Sequence, residues 1–255
     1  MTGTAGSADE LGDEARGVAV YFAELSRELQ GSPEDVTLDR IARQSLEVIP
    51  AADHCGISLR RRRHRIETGA ATSPLADECD ALQYQLGEGP CVEAIWDSES
   101  FLSNDTSDEP RWPRWSPVVA RKGIGSVLSL RLATSMGTLG AINLYAEPRH
   151  AFTDEDIDLA LIFAAHATNA MNSARLVDGL QEAVQSRHLI GVAQGILMHR
   201  YGLTLEHSFE VLRRYSSHRN VKLRELAAMV VETGGLPEAA QSYEQSTGLS
   251  TDQSS

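Results

Sequence analysis

Three short amphipathic segments within residues 187–231 constrain the fold of this chain more than any other feature. The first is predicted to be a helix that ends at Gly202, because glycine readily adopts the left-handed conformation that closes a helix. Thr204 is predicted to cap a second helix and Asn220 a third, which Gly234 ends. The second segment places five residues on one face at helical spacing: Leu205, Ser208, Phe209, Leu212 and Tyr215. None of these helices can bury its apolar stripe alone, so we expect a three-helix bundle.

The same stretch differs from the rest of the chain in charge. Residues 178–235 carry seven basic and six acidic side chains, whereas the whole chain has a net charge of −13. Arg213 and Arg214 are expected near a helix C-terminus, where cations are favourable, so a solvated stabilising pair explains them adequately. Three further cations are expected to flank a helix N-terminus, where the dipole disfavours each by about 0.3–1 kcal/mol: Arg219, Lys222 and Arg224. Such a helix end suits a phosphate, which favours nucleic-acid binding over an ordinary charged surface.

The motifs AQGILMHR, SFEVLRRYS and NVKLRELA resemble the ANTAR domain, an RNA-binding output module of transcription antitermination regulators. The resemblance covers residues 178–235 without a gap, which makes it far more specific than a lone short motif. It implies a three-helix bundle that acts as a dimer, binds paired RNA stem-loops and prevents a terminator from forming. Gln194 stands where family members often carry lysine, a departure that would weaken one backbone contact. The residues assigned to RNA are Arg187, Gln194, Arg200, Arg213, Arg214, Arg219, Asn220, Lys222 and Arg224.

Composition excludes several other classes of protein. The first residues are acidic and contain no apolar signal-peptide core, and the most apolar run, LALIFAAHA, is too short to span a bilayer. We therefore expect a cytoplasmic protein without a membrane partner. The three cysteines are odd in number and form no CxxC pair, which argues against a disulfide framework or a zinc ribbon. An isoelectric point near 5.0 means that any nucleic-acid contact must be local.

The first half of the chain alternates between helical and strand patterns. Residues 18–29 form a short helical stripe, and Thr37 is predicted to cap a second helix that Pro50 ends. Cys55, Ile57 and Leu59 then alternate with polar residues, as a half-buried strand should. The basic run at 60–65 could bind RNA, but it falls where a hairpin turn is expected, so we favour a solvated turn.

Two further strands and a long helix follow. The segments SVLSLRL (126–132) and LGAINLY (139–145) alternate cleanly and predict a hairpin. Thr153 is predicted to cap the helix. Its apolar stripe is expected to comprise Ile157, Ala160, Leu161, Ala164, Ala167 and Met171. Helices flanking an antiparallel sheet indicate an α+β sensor-type domain.

Three longer motifs carry a second resemblance. They are QYQLGEGPCVEAIW (83–96), DEPRWPRW (108–115) and LGAINLYAEPRHAFTDEDIDLA (139–160). Together they resemble the GAF domain, in the form that actinobacterial proteins place before ANTAR, over about residues 35–175. The predicted organisation is a disordered N-terminus at 1–15, a GAF-like sensor domain with N-terminal helices at 16–175, an ANTAR-like domain at 176–235 and a disordered tail at 236–255.

A long, coiled-coil-like helix is expected to link the two domains, since only Gly179 interrupts the pattern. Its apolar residues recur by three and four and then continue after a skip: Ala164, Ala167, Met171, Ala174, Leu176, Leu180, Ala183 or Val184, and Ile190. A continuous helix of this kind would pair with its twin in a homodimer. The alternative is that the stripe packs on its own sheet. We favour the dimer, because the linker portion has no other core nearby.

Cys91 is the strongest candidate for enzyme chemistry. In GEGPC it is expected at the start of a helix, whose dipole would stabilise a thiolate and lower its pKa. Some GAF-fold enzymes reduce free methionine sulfoxide with cysteines near a related loop, so a thiol redox enzyme is an alternative. The inward-facing strand position of Cys55 and the lack of a resolving motif at Cys79 favour a buried structural cysteine. Cys91 and Trp112 are also candidates for lining a ligand pocket, although tryptophan more often anchors a loop to a core.

The resulting hypothesis is a sensor–effector rather than an enzyme, with no catalytic residues, metal site or cofactor. The GAF-like domain would sense an unknown signal, with a small molecule as its candidate ligand, and the ANTAR-like domain would bind stem-loops of a leader transcript. A DNA-binding one-component regulator is the other alternative. It would need base-reading side chains on a recognition helix, whereas Ala227, Ala228 and Met229 leave little to reach a base edge.

Overall fold

The computed structural model describes residues 33–61, 65–97 and 100–237. The chain divides between Asp178 and Gly179 into two compact units, called here the sensor unit and the helical unit. The predicted helix at 18–29, the segment 1–15, most of the tail and the middle of the basic run lie outside the described residues. No helix in the described ranges is long and apolar enough to cross a membrane.

The elements follow one another as a sheet-forming half and a helical half. In chain order they are α1 (Glu34–Val48), β1 (His54–Arg60), β2 (Ile66–Ala71), α2 (Pro74–Leu86), α3 (Pro90–Asp97), β3 (Phe101–Ser103), a 3₁₀ turn (Thr106–Asp108), α4 (Ser116–Arg121), β4 (Ser126–Thr134), β5 (Gly137–Ala146), α5 (Asp154–Tyr201), α6 (Leu205–Arg219) and α7 (Leu223–Thr233).

The sensor unit contains a five-stranded sheet in the order β2–β1–β5–β4–β3, and every neighbouring pair is antiparallel. Ile142 on β5 lies opposite Ile57 on β1 and Leu130 on β4, which sets the register of the central strands. The predicted α+β fold, with helices flanking an antiparallel sheet, is confirmed.

Both faces of the sheet are covered, so the prediction of a half-buried β1 was wrong. Residues 55–59 are all buried. One face packs against α1 and α5 through residues such as Ile57, Leu130 and Phe163. The other packs against α2, α3 and the segment that carries Trp112 and Trp115. Alternation along a strand distinguishes its two faces, but whether the polar face meets water depends on helices distant in the sequence.

Helix α1 begins earlier than predicted. Pro33 occupies its N-cap position, and Thr37, the predicted cap, is buried inside the helix, where its amide donates to the Pro33 carbonyl at 3.0 Å. The acidic residues Glu34 and Asp35 in the first turn favour this earlier start through the helix dipole.

Helix α5 runs unbroken for 48 residues, which confirms the predicted continuous helix. Its cap is also confirmed, because the Thr153 hydroxyl accepts from the Asp156 amide at 3.2 Å and the Asp156 carboxylate accepts from the Thr153 amide at 2.9 Å. Leu161 was wrongly placed in the buried stripe. It is 46% exposed, and Phe163 is buried against the sheet in its stead.

In the helical unit, α6 and α7 pack against the last turns of α5. Gly202 is left-handed, Thr204 caps α6 by accepting from the His207 amide at 3.2 Å, and Gly234 ends α7 in the left-handed conformation, all as predicted. A compact apolar core joins the helices: Ala193, Leu197, Leu212, Leu226, Ala227 and Val230. Leu205 and Phe209, predicted to be buried, are 61% and 40% exposed.

Asn220 is not the N-cap of α7, contrary to prediction. It is the left-handed residue that ends α6, with φ of 52°, and Lys222 occupies the N-cap position of α7. Asparagine is favourable both at helix N-caps and at left-handed C-terminal positions. Only the short connection between α6 and α7 decides which role it takes.

Gly179→Ala is expected to raise the free energy of unfolding by about 0.5–1 kcal/mol, because glycine inside a helix costs that much relative to alanine. No atom lies within 4 Å of the added Cβ. Urea unfolding followed by far-ultraviolet circular dichroism measures the change. Gly234→Ala is the matched control and should destabilise, since Gly234 has φ of +72°. A loss of stability in Gly179→Ala would contradict a regular helix at this position.

Candidate nucleic-acid interface and sensor core

The junction of α6 and α7 gathers four of the residues assigned to RNA. Arg219 is the last residue of α6, Asn220 follows it, Lys222 is the N-cap of α7 and Arg224 lies in the first turn of α7. Lys222 makes no side-chain capping bond, and both Lys222 and Arg219 are exposed. Lys222 and Arg224 therefore place two positive charges at the N-terminus of α7, where the helix dipole favours anions.

The arginines of α6 lie at other positions relative to the helix ends than predicted. Arg219 lies at a helix C-terminus, which favours its charge, and its guanidinium lies 5.6 Å from the centre of the Tyr215 ring. Arg213 and Arg214 are exposed but lie more than one turn before the end of α6. Because the dipole effect fades within the last turn, it does not account for these two cations.

The three predicted residues on α5 fall into two kinds. The Gln194 side-chain amide donates to the Leu205 carbonyl at 3.0 Å, and Arg200 Nη1 donates to the Gly234 carbonyl at 2.8 Å. Both side chains thus join α5 to another part of the helical unit. Arg187 is exposed. The predicted set is distributed over all three helices, and the residues at the α6–α7 junction form its largest group of neighbours along the chain.

Arg224 has a partner that sequence reasoning missed. Its Nη1 donates to the carboxylate of Glu182 on α5, with the two side chains 41% and 61% exposed. Periodicity gives no signal for this pair, since 42 residues separate its members.

A buried polar network lies between the sheet and α2 in the sensor unit. Asp80 Oδ1 accepts from Tyr145 Oη at 2.5 Å and from Asn143 Nδ2 at 2.8 Å. Asn143 Nδ2 also donates to Ser58 Oγ at 2.9 Å. Asp80 Oδ2 has no hydrogen-bond partner within the described part of the chain, and a Cβ at Gly56 would lie 2.1 Å from it. Burial raises the pKa of Asp80 to about 7, although the bonds from Tyr145 and Asn143 oppose the shift.

The sequence pattern did not predict the buried network around Asp80. A signal was present in α2, where Asp80 and Gln83 lie at helical spacing from the apolar residues Ala76 and Cys79. All four are buried. Polar residues on the apolar face of a helix imply a buried hydrogen-bonding partner, but they do not identify that partner.

Cys91 does not have the properties of a reactive thiol. It lies at the start of α3, as predicted, but it is fully buried, and burial raises its pKa to about 12 instead of lowering it. Its Sγ donates to Ser58 Oγ at 2.9 Å, and its amide donates to Gln83 Oε1 at 2.8 Å. Desolvation outweighs the helix dipole here. The arrangement favours the interpretation of a structural cysteine.

Trp112 is also fully buried and anchors its loop. Its Nε1 donates to Glu93 Oε1 at 2.8 Å, and its ring packs edge-on against Phe101 and Trp115. Within the described ranges, no group of three or more histidine, cysteine or acidic side chains could hold a metal ion.

Comparison with known protein families agrees with both resemblances. The GAF domain family matches residues 31–172, and the ANTAR domain family matches residues 178–231. No curated protein matches the chain.

Solved structures resemble the chain at low sequence identity. A bacteriophytochrome from the photosynthetic bacterium R. palustris is 12% identical with a TM-score of 0.54, over 79% of this chain and 46% of that chain. The GAF domain of a phosphoenolpyruvate-protein phosphotransferase from Coxiella burnetii is 16% identical with a TM-score of 0.52, over 65% and 98%. A free methionine-R-sulfoxide reductase from Neisseria meningitidis is 14% identical with a TM-score of 0.49, over 63% and 93%. These likenesses concern the fold alone. The chain belongs to the GAF domain family, and its GAF domain is followed by an ANTAR domain, the combination of a regulator that couples signal sensing to an RNA-binding output module.

Proposed function

We propose that this protein is a transcription antitermination regulator whose helical unit binds paired stem-loops of a leader transcript. The observation that carries the proposal is the α6–α7 junction. There, Lys222 and Arg224 lie at a helix N-terminus that has no side-chain cap. Cations at this end are disfavoured by the helix dipole, and Arg224 gains only an exposed ion pair with Glu182, so their presence is better explained by an anionic partner than by the folding of the unit.

Charge supports the same partner. The net charge of −13 would repel RNA from most of the surface, yet residues 178–235 carry seven basic and six acidic side chains, a net charge of +1. RNA contacts confined to the helical unit are consistent with both facts, because charges more than about 10 Å apart are largely screened at moderate salt.

The structure favours RNA over the two alternatives. Helix α7 has 11 residues, and Leu226, Ala227 and Val230 are buried in the bundle, so it offers few side chains for reading bases in a DNA groove. The thiol redox enzyme needs a thiolate, whereas burial keeps Cys91 protonated.

We also propose that the protein is a homodimer, but through only the second half of the apolar series predicted along the long helix. In the first half, Ala164, Ala167 and Met171 are buried in the core beneath the sheet, and Ala174 is buried as well. The second half is open: Leu176, Leu180 and Val184 are 67%, 68% and 58% exposed. Three large apolar side chains at four-residue spacing on one helix face favour pairing with a second copy.

The remaining parts of the proposal concern the sensor unit. It would receive a small-molecule signal in the cytoplasm, and the region around Cys91 and Trp112 remains the predicted place for such a ligand. We propose that the protein acts as a regulator rather than as an enzyme.

Ultraviolet crosslinking of the full chain in lysate, followed by sequencing of the bound nucleic acid, tests the proposed function. We expect enrichment of leader segments that fold into two neighbouring hairpins. Enrichment of double-stranded DNA, or of RNA without hairpins, would contradict the proposal.

Lys222→Ala with Arg224→Ala is expected to weaken binding of the recovered two-hairpin RNA about tenfold. The slope of log affinity against log salt should fall by between one and two, because Lys222 contributes nearly one unit and Arg224, already paired with Glu182 in the free protein, contributes less than one. The melting temperature should change little, because the relief of an unfavourable interaction with the α7 dipole offsets the loss of the exposed Arg224–Glu182 pair. Fluorescence anisotropy at several salt concentrations, beside thermal melts, measures these effects.

A charge-matched control for this double variant lies in the sensor unit. Arg43→Ala with Arg121→Ala removes two exposed cations from α1 and α4 and should leave RNA affinity nearly unchanged. Equal effects of the two double variants would mean that total charge, rather than the α6–α7 junction, governs binding. If neither changes affinity, the assignment shifts to Arg187, Gln194 and Arg200.

A further inference from the structure

Glu182 contacts Arg224, the same side chain that is proposed to bind an RNA phosphate. Arg224 is the residue at the α6–α7 junction whose guanidinium already contacts a carboxylate, that of Glu182 on α5. No such ion pair is found for Arg219 or Lys222 within the described part of the helical unit. In the free protein, the anion that contacts the Arg224 guanidinium is therefore a carboxylate of the protein itself.

We propose that Glu182 is a built-in competitor for RNA, which weakens the phosphate contact of Arg224 until the carboxylate is displaced. This inference rests on the proposed function. An arginine has five donors, so Glu182 does not block Arg224 by occupying Nη1 alone. The competition is electrostatic, because a phosphate bound to Arg224 would lie within a few ångströms of the Glu182 carboxylate.

The alternative role, in which Glu182 orients Arg224 for RNA, predicts the opposite effect on affinity. Both side chains are substantially exposed, at 41% and 61%. Exposed pairs restrict side-chain motion weakly, so little orientation is gained. Like-charge repulsion across a few ångströms persists even in water-like surroundings and changes affinity by a factor of about two to five. Competition therefore outweighs orientation.

Glu182→Gln tests the proposal, since it keeps the shape of the side chain and removes its charge. We expect the full chain to bind the recovered two-hairpin RNA two- to five-fold more tightly. The salt slope should steepen by up to about one unit, because Arg224 becomes available to release a counterion. Glu232→Gln is the control. It removes the same charge from the other end of α7, where the side chain is also exposed, and should change affinity less than twofold.

A double-variant cycle separates competition at Arg224 from a general effect of charge. In the Arg224→Ala background, Glu182→Gln should have no more effect than Glu232→Gln. Equal tightening with and without Arg224, unchanged affinity, or weaker binding in Glu182→Gln would each overturn the inference. Absence of RNA binding by the unaltered protein is a different result, which would overturn the proposed function first.

Discussion

Asp80→Asn is expected to stabilise the sensor unit near pH 8 by roughly 4 kcal/mol, while changing its stability near pH 4 only slightly. The carboxyl group is fully buried, Oδ2 lies against Gly56 without a hydrogen-bond donor, and burial raises its pKa from 3.8 to about 7. An asparagine can accept the same bonds from Tyr145 and Asn143 at Oδ1 without ever being charged.

The sign follows from proton counting. Between about pH 4 and pH 7 the folded protein holds a proton on Asp80 that the unfolded chain has released. Stability contributed by this group is therefore present below the unfolded pKa and is lost as the pH rises through the folded pKa. A rise of the pKa from 3.8 to about 7, at 1.36 kcal/mol for each pH unit, gives the expected magnitude of roughly 4 kcal/mol.

Urea unfolding followed by tryptophan fluorescence measures this effect in the full chain, because all three tryptophans lie in the sensor unit. Asp158→Asn is the matched control. It removes an exposed carboxylate from α5 within the sensor unit and should leave the pH profile parallel to that of the unaltered protein. Parallel profiles for Asp80→Asn would contradict a buried, protonated Asp80.

Leu180→Gln with Val184→Gln is expected to raise the dissociation constant of the proposed dimer by roughly 100-fold or more. Each dimer would lose four apolar side chains from its interface, at about 1 kcal/mol or slightly less for each. The monomer should remain folded, because both positions are more than half exposed. Sedimentation velocity across a range of concentrations measures the shift.

Met136→Gln is the control for this variant, since Met136 is 95% exposed and belongs to the turn between β4 and β5 instead of to α5. It removes a comparable apolar side chain and should leave the dissociation constant unchanged. If the unaltered protein is a monomer at micromolar concentration, with and without RNA, the dimer proposal is contradicted.

The predictions that the structure confirms depend on local chemistry. Glycine closes a helix because it alone reaches the left-handed region without a penalty, so Gly202 and Gly234 could be placed before any tertiary contact was known. The caps at Thr153 and Thr204 are local in the same sense, since each hydroxyl bonds an amide three residues later.

The corrections arise where one residue type suits two roles or where a distant segment decides burial. Asn220 fits a helix start and a helix end equally well, and the chain on both sides settles the choice. Leu161 and Phe163 both suit an apolar stripe, but only packing against the sheet shows which of them is buried.

By itself, the sequence determined where most helices and strands lie, which families the two units resemble and where positive charge is concentrated, because these properties depend on residues close together in the chain. Tertiary structure alone decided that Asp80 is buried beside Tyr145 and that Glu182 contacts Arg224. Each of these pairs is separated by more than 40 residues. Its proximity, and hence its effect on pKa or on RNA affinity, exists only after the intervening chain has folded.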